Sequence, residues 1–385
     1  MNPIIIIGSG HAGLTLAREL RARDKRQSIT IVSQEPIEAY YKPNLSKALT
    51  LNKSAKDLVM KNRATLEQDL SAELLENTSV AEINCDQKRI QCIAKVNDSN
   101  EVKAFELAYD KLVIATGATP ISLPIKDAKE FTLTINNLQD YKVFREQIKQ
   151  AKRIVIIGAG FVGSELASDL SNNGYQVDVV DRSSWPLQQV MPQIMGSQVE
   201  QAITEQGATW HFETTVEEIT KNKQGTLAVY LANGKIIETD RVISAVGLKP
   251  NIDLAQTAGL KTSNGIVIDS YSQTSADDVF AIGDCVEYNG KPLPFIAPAT
   301  LAAKTLAKTL SGDKTLLKIP PQPVAVKINK CPTLICPANG ETGDWKVSGE
   351  NQDIEAEYVN ERNETLGFAL SGKKTSLKAD YLSRL

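Results

Sequence analysis

The sequence predicts an α/β fold in which a doubly wound nucleotide-binding domain occurs twice and a small α+β domain follows. Two glycine-rich turns of one pattern, beginning at Gly8 and Gly158, each come after an apolar run and before a helix-like stretch. Beyond residue 320 the chain alternates apolar and polar residues, which is typical of antiparallel strands. A length of 385 residues accommodates two or three domains.

The composition is that of an ordinary globular protein, with 42% hydrophobic residues, 23% charged residues and a net charge of −3. This charge argues against nucleic acid or an anionic membrane as a partner, and no apolar run approaches the ~18 residues of a membrane span. The first residues, "MNPIIIIGSG", lack a cationic start and a cleavage site. We therefore expect a cytoplasmic protein without a membrane span.

The cysteines and histidines do not predict a metal centre. Five cysteines, an odd number, indicate reduced thiols, and neither they nor the two histidines show zinc-ligand spacing. Cys331 and Cys336 are separated by four residues, and we interpret them as buried thiols in preference to a redox disulfide. We expect no metal.

The first glycine-rich turn lies in "PIIIIGSGHAGLTLAREL". It comprises Gly8, Ser9, Gly10, His11, Ala12 and Gly13. Gly8 makes the tight turn, Gly10 lets a pyrophosphate approach the backbone, and Gly13 lets the helix pack on the strand, as in the Rossmann fingerprint. The next strand, "SITIVSQE", ends in Glu35, which can accept hydrogen bonds from a ribose.

The second turn lies in "KRIVIIGAGFVGSELASDL" and repeats this pattern. It comprises Gly158, Gly160, Phe161, Val162 and Gly163. The following strand, "YQVDVVDR", ends in Asp181. A carboxylate there favours the free 2′-hydroxyl of NADH over the 2′-phosphate of NADPH, although the neighbouring Arg182 suits a phosphate.

Three further segments suggest how the two domains connect. "YDKLVIATGATP" (109–120) and "DRVISAVGLKP" (240–250) are apolar strands that run into glycine, and we interpret them as the points where the chain leaves one domain and returns. "DDVFAIGDC" (277–285) ends a strand with Gly283 and Asp284. Asp284 is either a ligand-binding carboxylate at a strand end or the cap of a following helix.

The predicted domains are a first nucleotide-binding domain of residues 1–112 and 244–319, a second of 113–243, and a C-terminal domain of 320–385. The C-terminal domain opens after the proline-rich "LKIPPQP". Strands are expected in "PVAVKI", "IEAEYV" and "TLGFAL", and a terminal helix in "KKTSLKADYLSRL".

The motifs GSGHAG, LVIATGA, GAGFVGSE, SAVGLKP and AIGDC, in this order, resemble those of the flavoprotein reductases with two dinucleotide-binding domains, the glutathione-reductase-like fold. The resemblance implies that the first fingerprint holds FAD, the second holds NADH, and hydride passes from nicotinamide to flavin. It also implies that Asp284 meets the ribityl chain. The turns Ala115, Thr116, Gly117 and Ala245, Val246, Gly247 are implied to mark the domain crossovers.

"YYKPNLSKAL" stands where disulfide reductases of this class carry a redox cysteine, and residues 1–84 contain none. It resembles the corresponding stretch of the rubredoxin-reductase group, which passes single electrons to rubredoxin, for example for alkane hydroxylation or for oxygen or nitric oxide detoxification. The resemblance implies an ion pair of Lys47 with Glu165 near the flavin. Lys42 and Pro43 are implied to border the cofactor. From composition alone, Lys47 is an exposed helix lysine.

The partner expected from this resemblance is rubredoxin, an acidic iron protein, which favours a basic docking surface. Lysines of the C-terminal domain are candidates for it: Lys327, Lys330, Lys373, Lys374 and Lys378. A flavorubredoxin reductase or a ferredoxin reductase remains an alternative. So does a non-catalytic flavoprotein that senses NADH.

Overall fold

The structure is a computed structural model that describes residues 2–95, 101–338, 340 and 342–385. The chain divides into two compact units. Unit 1 comprises Met1–Tyr41, Val59–Thr119 and Lys249–Pro320, and unit 2 comprises Lys42–Leu58, Pro120–Leu248 and Pro321–Leu385. The stretch Lys42–Leu58, which contains KPNLSK, thus belongs to unit 2 although its chain neighbours belong to unit 1.

The helices are numbered in chain order. They are α1 (His11–Arg23), α2 (Ala55–Leu58), α3 (Arg63–Leu70), α4 (Ala128–Phe131), α5 (Leu138–Gln147), α6 (Phe161–Asn172), α7 (Gln193–Thr204), α8 (Asp253–Thr257), α9 (Ile296–Leu310) and α10 (Lys378–Leu382). Two 3₁₀ helices span Lys42–Lys47 and Gly372–Leu377. None of the helices that the described residues form combines the length and apolarity needed to cross a bilayer.

Unit 1 is built on a five-stranded parallel sheet. Its strands, in spatial order, are Val279–Ala281, Lys111–Ile114, Ile4–Ile7, Ile29–Val32 and Glu73–Leu75. The central strand of four isoleucines is buried throughout, as expected for a parallel strand covered on both faces. Numbered along the chain, the strand order is 3-2-1-4-5, so the order reverses beside Ile4–Ile7. In such sheets ligands bind at this reversal.

Two small sheets and a helix pair complete unit 1. The first sheet is antiparallel and contains Thr78–Asn84, Arg89–Lys95 and Val102–Ala108, and the second contains Ile266–Ile268, Val286–Tyr288 and Lys291–Pro292. Helix α1 packs against α9, whose buried face is rich in alanine. Short side chains there allow the two helices to approach closely.

Unit 2 repeats the arrangement. Its parallel sheet has the spatial order Ala208–His211, Gln176–Val180, Arg153–Ile157, Arg241–Ser244 and Thr132–Leu133. An antiparallel sheet of Val216–Lys221, Leu227–Leu231 and Ile236–Thr239 packs over a core of aliphatic side chains. Two short strands, Ala118–Pro120 and Leu248–Pro250, pair where the chain passes from one unit to the other.

The C-terminal part of unit 2 is a five-stranded antiparallel sheet, as the sequence predicts. Its spatial order is Val324–Val326, Thr333–Cys336, Thr365–Ser371, Asp353–Val359 and Asp344–Glu350. The predicted terminal helix is divided into the 3₁₀ helix Gly372–Leu377 and the α-helix α10. Phe368 and Tyr381 pack the end of the chain onto the sheet.

Candidate functional site

The first fingerprint forms a turn that only glycine can occupy at two positions. Gly8 has φ +117°, and a Cβ there would lie 2.2 Å from the carbonyl oxygen of Ala115. A Cβ on Gly13 would lie 2.0 Å from the carbonyl oxygen of Gly8. The ATG turn therefore closes directly on the fingerprint, at the reversal of strand order in unit 1.

The second fingerprint has the same geometry in unit 2. Gly158 has φ +109°, and its Cβ would lie 2.5 Å from the carbonyl oxygen of Ala245, while that of Gly163 would lie 1.9 Å from the carbonyl oxygen of Gly158. The AVG turn thus closes on this fingerprint. The next residues of that turn, Val246 and Gly247, are half-buried and exposed, respectively.

The middle glycine of each fingerprint, unlike the first and third, faces open space. A Cβ on Gly10 or Gly160 would meet no atom within 4 Å, so the space above both turns is open. Helices α1 and α6 begin directly after these glycines, and no side chain caps either helix. Uncapped amides and a helix N-terminus at an open turn are what a pyrophosphate requires. Both turns therefore fit a dinucleotide.

Ser33 ties the end of the second strand of unit 1 to the fingerprint. Its Oγ accepts a hydrogen bond from Ser9 Oγ at 2.8 Å and another from the amide of Glu35 at 3.2 Å. Glu35 is consequently held in the turn after that strand, at the same edge of the sheet as the fingerprint. Glu35 and Ser9 were predicted from the sequence to belong to the site, whereas Ser33 was not.

Gly283 and Asp284 also lie at this edge of unit 1. Gly283 has φ +84°, and a Cβ there would lie 3.0 Å from Cβ of Ala12. Residues Val286–Tyr288 after Asp284 form a strand, so the alternative of Asp284 as a helix cap is wrong. Asp284 acts electrostatically on His11. The structure therefore brings GDC to the first fingerprint.

His11, the first residue of α1, is held by α9. Its Nε2 lies 2.7 Å from Thr300 Oγ1. Burial lowers the pKa of His11, Arg18 adds to this effect, and Asp284 opposes it. The net direction is downward, so the imidazole is neutral at neutral pH.

Asn251 fixes the ATG turn and was missed by the sequence analysis. Its side-chain amide donates to the carbonyl oxygen of Thr116 at 2.8 Å, and Thr116 Oγ1 donates to the carbonyl oxygen of Asn251 at 3.0 Å. The amide of Asn251 also donates to the carbonyl oxygen of Gly117 at 2.9 Å. Thr116 and Gly117 are thereby fixed beside the fingerprint.

Asp181 lies where the sequence predicts, at the end of the strand after the second fingerprint. One carboxylate oxygen accepts from the amide of Ala159 at 2.6 Å and the other from the amide of Ser183 at 2.7 Å. Each oxygen retains a second lone pair, which a ribose hydroxyl can use. Of the neighbouring predicted residues, Arg182 and Val162 are exposed and Phe161 is half-buried.

The 3₁₀ helix Lys42–Lys47 packs against α6 in unit 2. Lys42 Nζ donates to Asn136 Oδ1 at 2.8 Å, and the carbonyl oxygen of Pro43 accepts from Lys327 Nζ at 2.8 Å. Lys47 is half-buried and lines one small cleft with Glu165 and Lys327. The structure therefore brings Pro43, Lys47 and Glu165 together, whereas Lys42, at the start of the same 3₁₀ helix, bonds to Asn136. Lys47 is not the exposed lysine that composition alone suggests.

The predicted ion pair of Lys47 with Glu165 does not form among the described residues. Glu165 is 5% exposed, and its Oε2 accepts from Lys327 Nζ at 2.7 Å and from Ser46 Oγ at 2.5 Å. Its Oε1 accepts from the amide of Lys327 at 3.1 Å. These three donors satisfy the carboxylate, so Lys327, the residue after the strand Val324–Val326, takes the place predicted for Lys47.

The remaining candidate docking lysines are on the surface of the C-terminal part. Lys330, Lys373 and Lys378 are exposed, whereas Lys374 pairs with Glu355 at 2.5 Å. Lys327 is half-buried and its ammonium group is paired with Glu165, so it does not belong to this exposed group. The docking role of these residues stays a prediction.

The cysteines are all free thiols. Burial raises the pKa of Cys336 to about 11 and also raises that of Cys331. Thiols with raised pKa values are protonated at neutral pH and are poor redox nucleophiles. The interpretation of Cys331 and Cys336 as buried thiols agrees with this environment.

Comparison with known proteins identifies the family of this arrangement. Residues 2–304 match the profile described as pyridine nucleotide-disulphide oxidoreductase. The chain belongs to this family. Residues 317–385 match a second profile, described as rubredoxin binding C-terminal domain. The family assignment confirms the predicted fold, the oxidoreductase class, the cofactors FAD and NADH, and the kind of protein partner.

Curated relatives within the pyridine nucleotide-disulphide oxidoreductases cover nearly the whole chain. A rubredoxin-NAD(+) reductase of Acinetobacter baylyi is 37% identical over 100% of this chain and 98% of its own length. A nitric oxide reductase FlRd-NAD(+) reductase of Shigella sonnei is 34% identical, covering 96% and 95%. The covalent putidaredoxin reductase–putidaredoxin complex matches with TM-score 0.88 and 25% identity, covering 100% and 94%.

Proposed function

We propose that this chain is an NADH-dependent rubredoxin reductase. When bound, FAD supplies acceptance of a hydride and donation of single electrons. The chain's own residues bind and orient the two nucleotides and the protein acceptor. The fingerprint of unit 1 with Glu35 and Asp284 holds FAD, and the fingerprint of unit 2 with Asp181 holds NADH.

One observation carries the proposal. Lys327 lies in the part of the chain that matches the rubredoxin binding domain, and it bonds to Glu165 on the helix of the second fingerprint. The same Nζ reaches the carbonyl oxygen of Pro43 in the KPNLSK helix. The acceptor-binding sheet and two predicted site elements are therefore linked through one ammonium group.

Lys42, Lys47 and Lys327 concentrate positive charge around the KPNLSK helix. Glu165 and Asp169 line the same cleft as Lys47 and Lys327 and offset part of this charge, and Glu165 holds Lys327 in place. We assign Lys47 the role of stabilising negative charge that develops on the reduced cofactor, because it lines the cleft without forming an ion pair with Glu165. Orientation of the bound nucleotides is the other contribution that we assign to these elements.

The physiological acceptor we favour is rubredoxin, and an alkane hydroxylase or an oxygen-detoxifying system are examples of its further partners. The Shigella sonnei relative supports a second candidate, a flavorubredoxin domain of a nitric oxide reductase. We also propose a cytoplasmic location, because five free thiols suit a reducing compartment.

The proposal is tested by a panel of acceptors. The purified holoenzyme is given NADH and, in separate reactions, rubredoxin, a flavorubredoxin and a plant-type ferredoxin, and reduction of each is followed by absorbance. We expect the highest kcat/KM with rubredoxin and a preference for NADH over NADPH. Preference for the flavorubredoxin would select the second candidate, and reduction of none of the iron proteins would contradict both.

A further inference from the structure

We propose that Asp169 is a positioning residue that fixes the backbone after the KPNLSK helix and thereby places Lys47. This inference rests on the proposed function, in which Lys47 acts on the cofactor. Asp169 was not among the residues that the sequence identified. Among the described residues no hydrogen bond or ion pair joins its carboxylate to Lys47, so its effect passes through the main chain of residues 42–53, which we call the anchored segment.

Asp169 is a buried carboxylate on α6 that binds two consecutive backbone amides. It is 3% exposed. Its Oδ2 accepts from the amide of Leu49 at 3.1 Å and its Oδ1 from the amide of Thr50 at 2.8 Å. Both amides come shortly after Lys47. One side chain therefore fixes the position and the orientation of the chain that carries this lysine.

Glu165 and Asp169 are four residues apart on α6, so they lie on one face about one turn, or ~6 Å, from each other. Glu165 binds Ser46 within the 3₁₀ helix, and Asp169 binds the turn that follows it. The face of α6 that carries these two acids thus receives the anchored segment on both sides of Lys47.

The two ends of the anchored segment are fixed by other elements of unit 2. At its start, Lys42 is bonded to Asn136. At its end, the carbonyl oxygen of Lys53 accepts from Tyr141 Oη at 3.0 Å and from Arg145 at 2.9 Å. No residue of the segment belongs to a strand. Backbone hydrogen bonds within it, such as that from the amide of Leu51 to the carbonyl oxygen of Lys47 at 3.2 Å, shape it locally, and the side-chain bonds fix it to the rest of unit 2.

Burying the carboxylate of Asp169 costs free energy, because the charged group loses its contact with water. Burial raises its pKa, and the hydrogen bonds from Thr50 and Leu49 oppose this effect. Buried ionic groups add little to stability on balance, and one attested use of such groups is to select a single conformation. An anchor of this kind is suited to precise placement, because displacement of a reacting group by about 1 Å can lower a rate about 100-fold.

The test compares Asp169→Asn, Lys47→Met and the double variant in the intact holoenzyme. Asparagine has the same size but a single acceptor oxygen, so one of the two amides loses its partner. Asp240→Asn is the control for removing one carboxylate charge. A single oxygen of Asp240, Oδ2, accepts from two consecutive amides, Lys152 and Arg153, at 2.7 and 2.9 Å outside the anchored segment, so asparagine can keep both bonds there.

We expect Asp169→Asn to retain FAD and to bind NADH within about twofold of the normal dissociation constant, while the limiting rate of flavin reduction falls by about 10–100-fold. Lys47→Met should lower this rate similarly. The double variant should be no slower than the slower single variant, because both changes act through the same ammonium group. Asp240→Asn should reduce at the normal rate.

A normal rate for Asp169→Asn, or single effects that simply multiply in the double variant, would overturn the inference while leaving the proposed function intact. A normal rate for Lys47→Met would overturn it too, together with the role assigned to Lys47. Failure of the unaltered enzyme to reduce rubredoxin is a separate result. It would contradict the proposed function, and flavin reduction by NADH would still test Asp169.

Hydrogen–deuterium exchange provides a readout that does not depend on turnover. Its first part uses the unaltered enzyme alone, so it does not depend on whether the variants fold. In the unaltered holoenzyme the amides of Leu49 and Thr50 should exchange as slowly as those in the middle of α6. In Asp169→Asn, protection should be lost in the peptide that contains them and kept in α6. Unprotected amides in the unaltered enzyme would rule out the anchor.

Discussion

Glu165 is a buried charged residue of the candidate site whose carboxylate is held by several hydrogen bonds. Its two oxygens accept three hydrogen bonds, two from Lys327 and one from Ser46. Hydrogen bonds to charged groups in such surroundings contribute more than those between neutral groups. The residue therefore stabilises the junction of the C-terminal sheet with α6 as well as contributing to the site.

Replacing Glu165 by glutamine should lower the free energy of unfolding by about 1–3 kcal/mol, because Lys327 loses its charged partner. Urea unfolding of the holoenzyme measures this change. Glu238→Gln is the control, since Glu238 pairs with Arg153 at 3.6 Å at the surface, where such pairs contribute about 0–1 kcal/mol. Equal effects of the two substitutions would contradict the structural role of Glu165.

His11 should give the stability of the enzyme a measurable pH dependence. Its pKa in the folded state lies below the ordinary 6.5, chiefly because of burial, so the unfolded state binds the proton more tightly. The associated stability is present above pH 6.5 and is lost as the pH falls through the lowered folded pKa. His11→Gln, which can keep a hydrogen bond to Thr300, removes this dependence.

The measurement is urea unfolding of both proteins between about pH 7.5 and about pH 5. We expect the unaltered enzyme to lose stability relative to His11→Gln as the pH decreases. Arg18 and Asp284, which act on the pKa of His11 with opposite signs, are present in both proteins, so their own contributions to stability cancel in the comparison and the difference reports His11. Parallel curves would show that His11 does not titrate in this range.

At the scale of single residues, the sequence predicted the kind of group that Glu165 binds but not its identity. The resemblance implied a lysine partner from the KPNLSK stretch, and the structure supplies Lys327, which is 162 residues away from Glu165 in the chain. A long-range contact of this kind leaves no local pattern. Asp169 did leave a weak signal, since an acid four residues after Glu165 lies on the same face of a predicted helix.

The strand–turn–helix elements of both fingerprints could be predicted almost completely, because the local backbone geometry requires glycine at these positions. The backbone of Gly8 and Gly158 adopts positive φ, and Gly13 and Gly163 lie against a carbonyl oxygen. Ser33 and Asn251, which hold these elements to their neighbours, could not be predicted. A serine or asparagine in a loop is common, and only tertiary structure shows what it binds.

The open space above the fingerprints leads to a prediction for the middle glycines. Gly160→Ala should fold with a free energy of unfolding within about 1 kcal/mol of normal, because φ is −74° and no atom lies within 4 Å of the new methyl group. The dissociation constant for NADH should rise at least about tenfold, because the methyl group occupies the space needed by the pyrophosphate.

The paired variant is Gly10→Ala, which has the same backbone environment in the first fingerprint. It should release FAD more readily, and Gly160→Ala should keep it. Absorbance of the bound flavin after gel filtration measures FAD retention, and titration with NADH measures the nucleotide affinity. Loss of FAD from Gly160→Ala, with Gly10→Ala unaffected, would reverse the assignment of the two fingerprints.

At the scale of the whole chain, the repeated α/β architecture and the C-terminal antiparallel sheet follow from hydrophobic patterns, whereas the course of the chain between units does not. Residues 42–58 were predicted within the first domain and group with unit 2 by their contacts. Their sequence has no periodic pattern, so tertiary bonds to α5, α6, Asn136 and Lys327 determine where they belong. The cofactor of each unit remains the assignment proposed above.

Electrostatic docking gives a prediction for the molecule as a whole. If acidic rubredoxin binds at Lys330, Lys373 and Lys378, kcat/KM for rubredoxin should fall several-fold between about 0.02 M and 0.2 M salt, because the ions screen these charges. NADH oxidation with a small neutral dye should change little. Equal salt dependence of the two reactions would argue against a basic docking surface.

Reversing the charge of single lysines tests which part of the surface attracts rubredoxin. Lys378→Glu should lower kcat/KM for rubredoxin at low salt and leave dye reduction unchanged. Lys25→Glu changes the net charge by the same amount at an exposed position of unit 1 and serves as the control. A comparable loss with Lys25→Glu would mean that net charge, and not the C-terminal surface, governs the encounter.

We propose that electrons pass from NADH through this chain to rubredoxin without a thiol relay. Sequential stopped-flow mixing under anaerobic conditions measures this transfer: the holoenzyme is first reduced with one equivalent of NADH and then mixed with oxidised rubredoxin. We predict that rubredoxin restores the flavin absorbance faster than overall turnover, equally well in Cys331→Ser and Cys336→Ser enzymes. A flavin that stays reduced with rubredoxin but is reoxidised by a disulfide substrate would contradict the account.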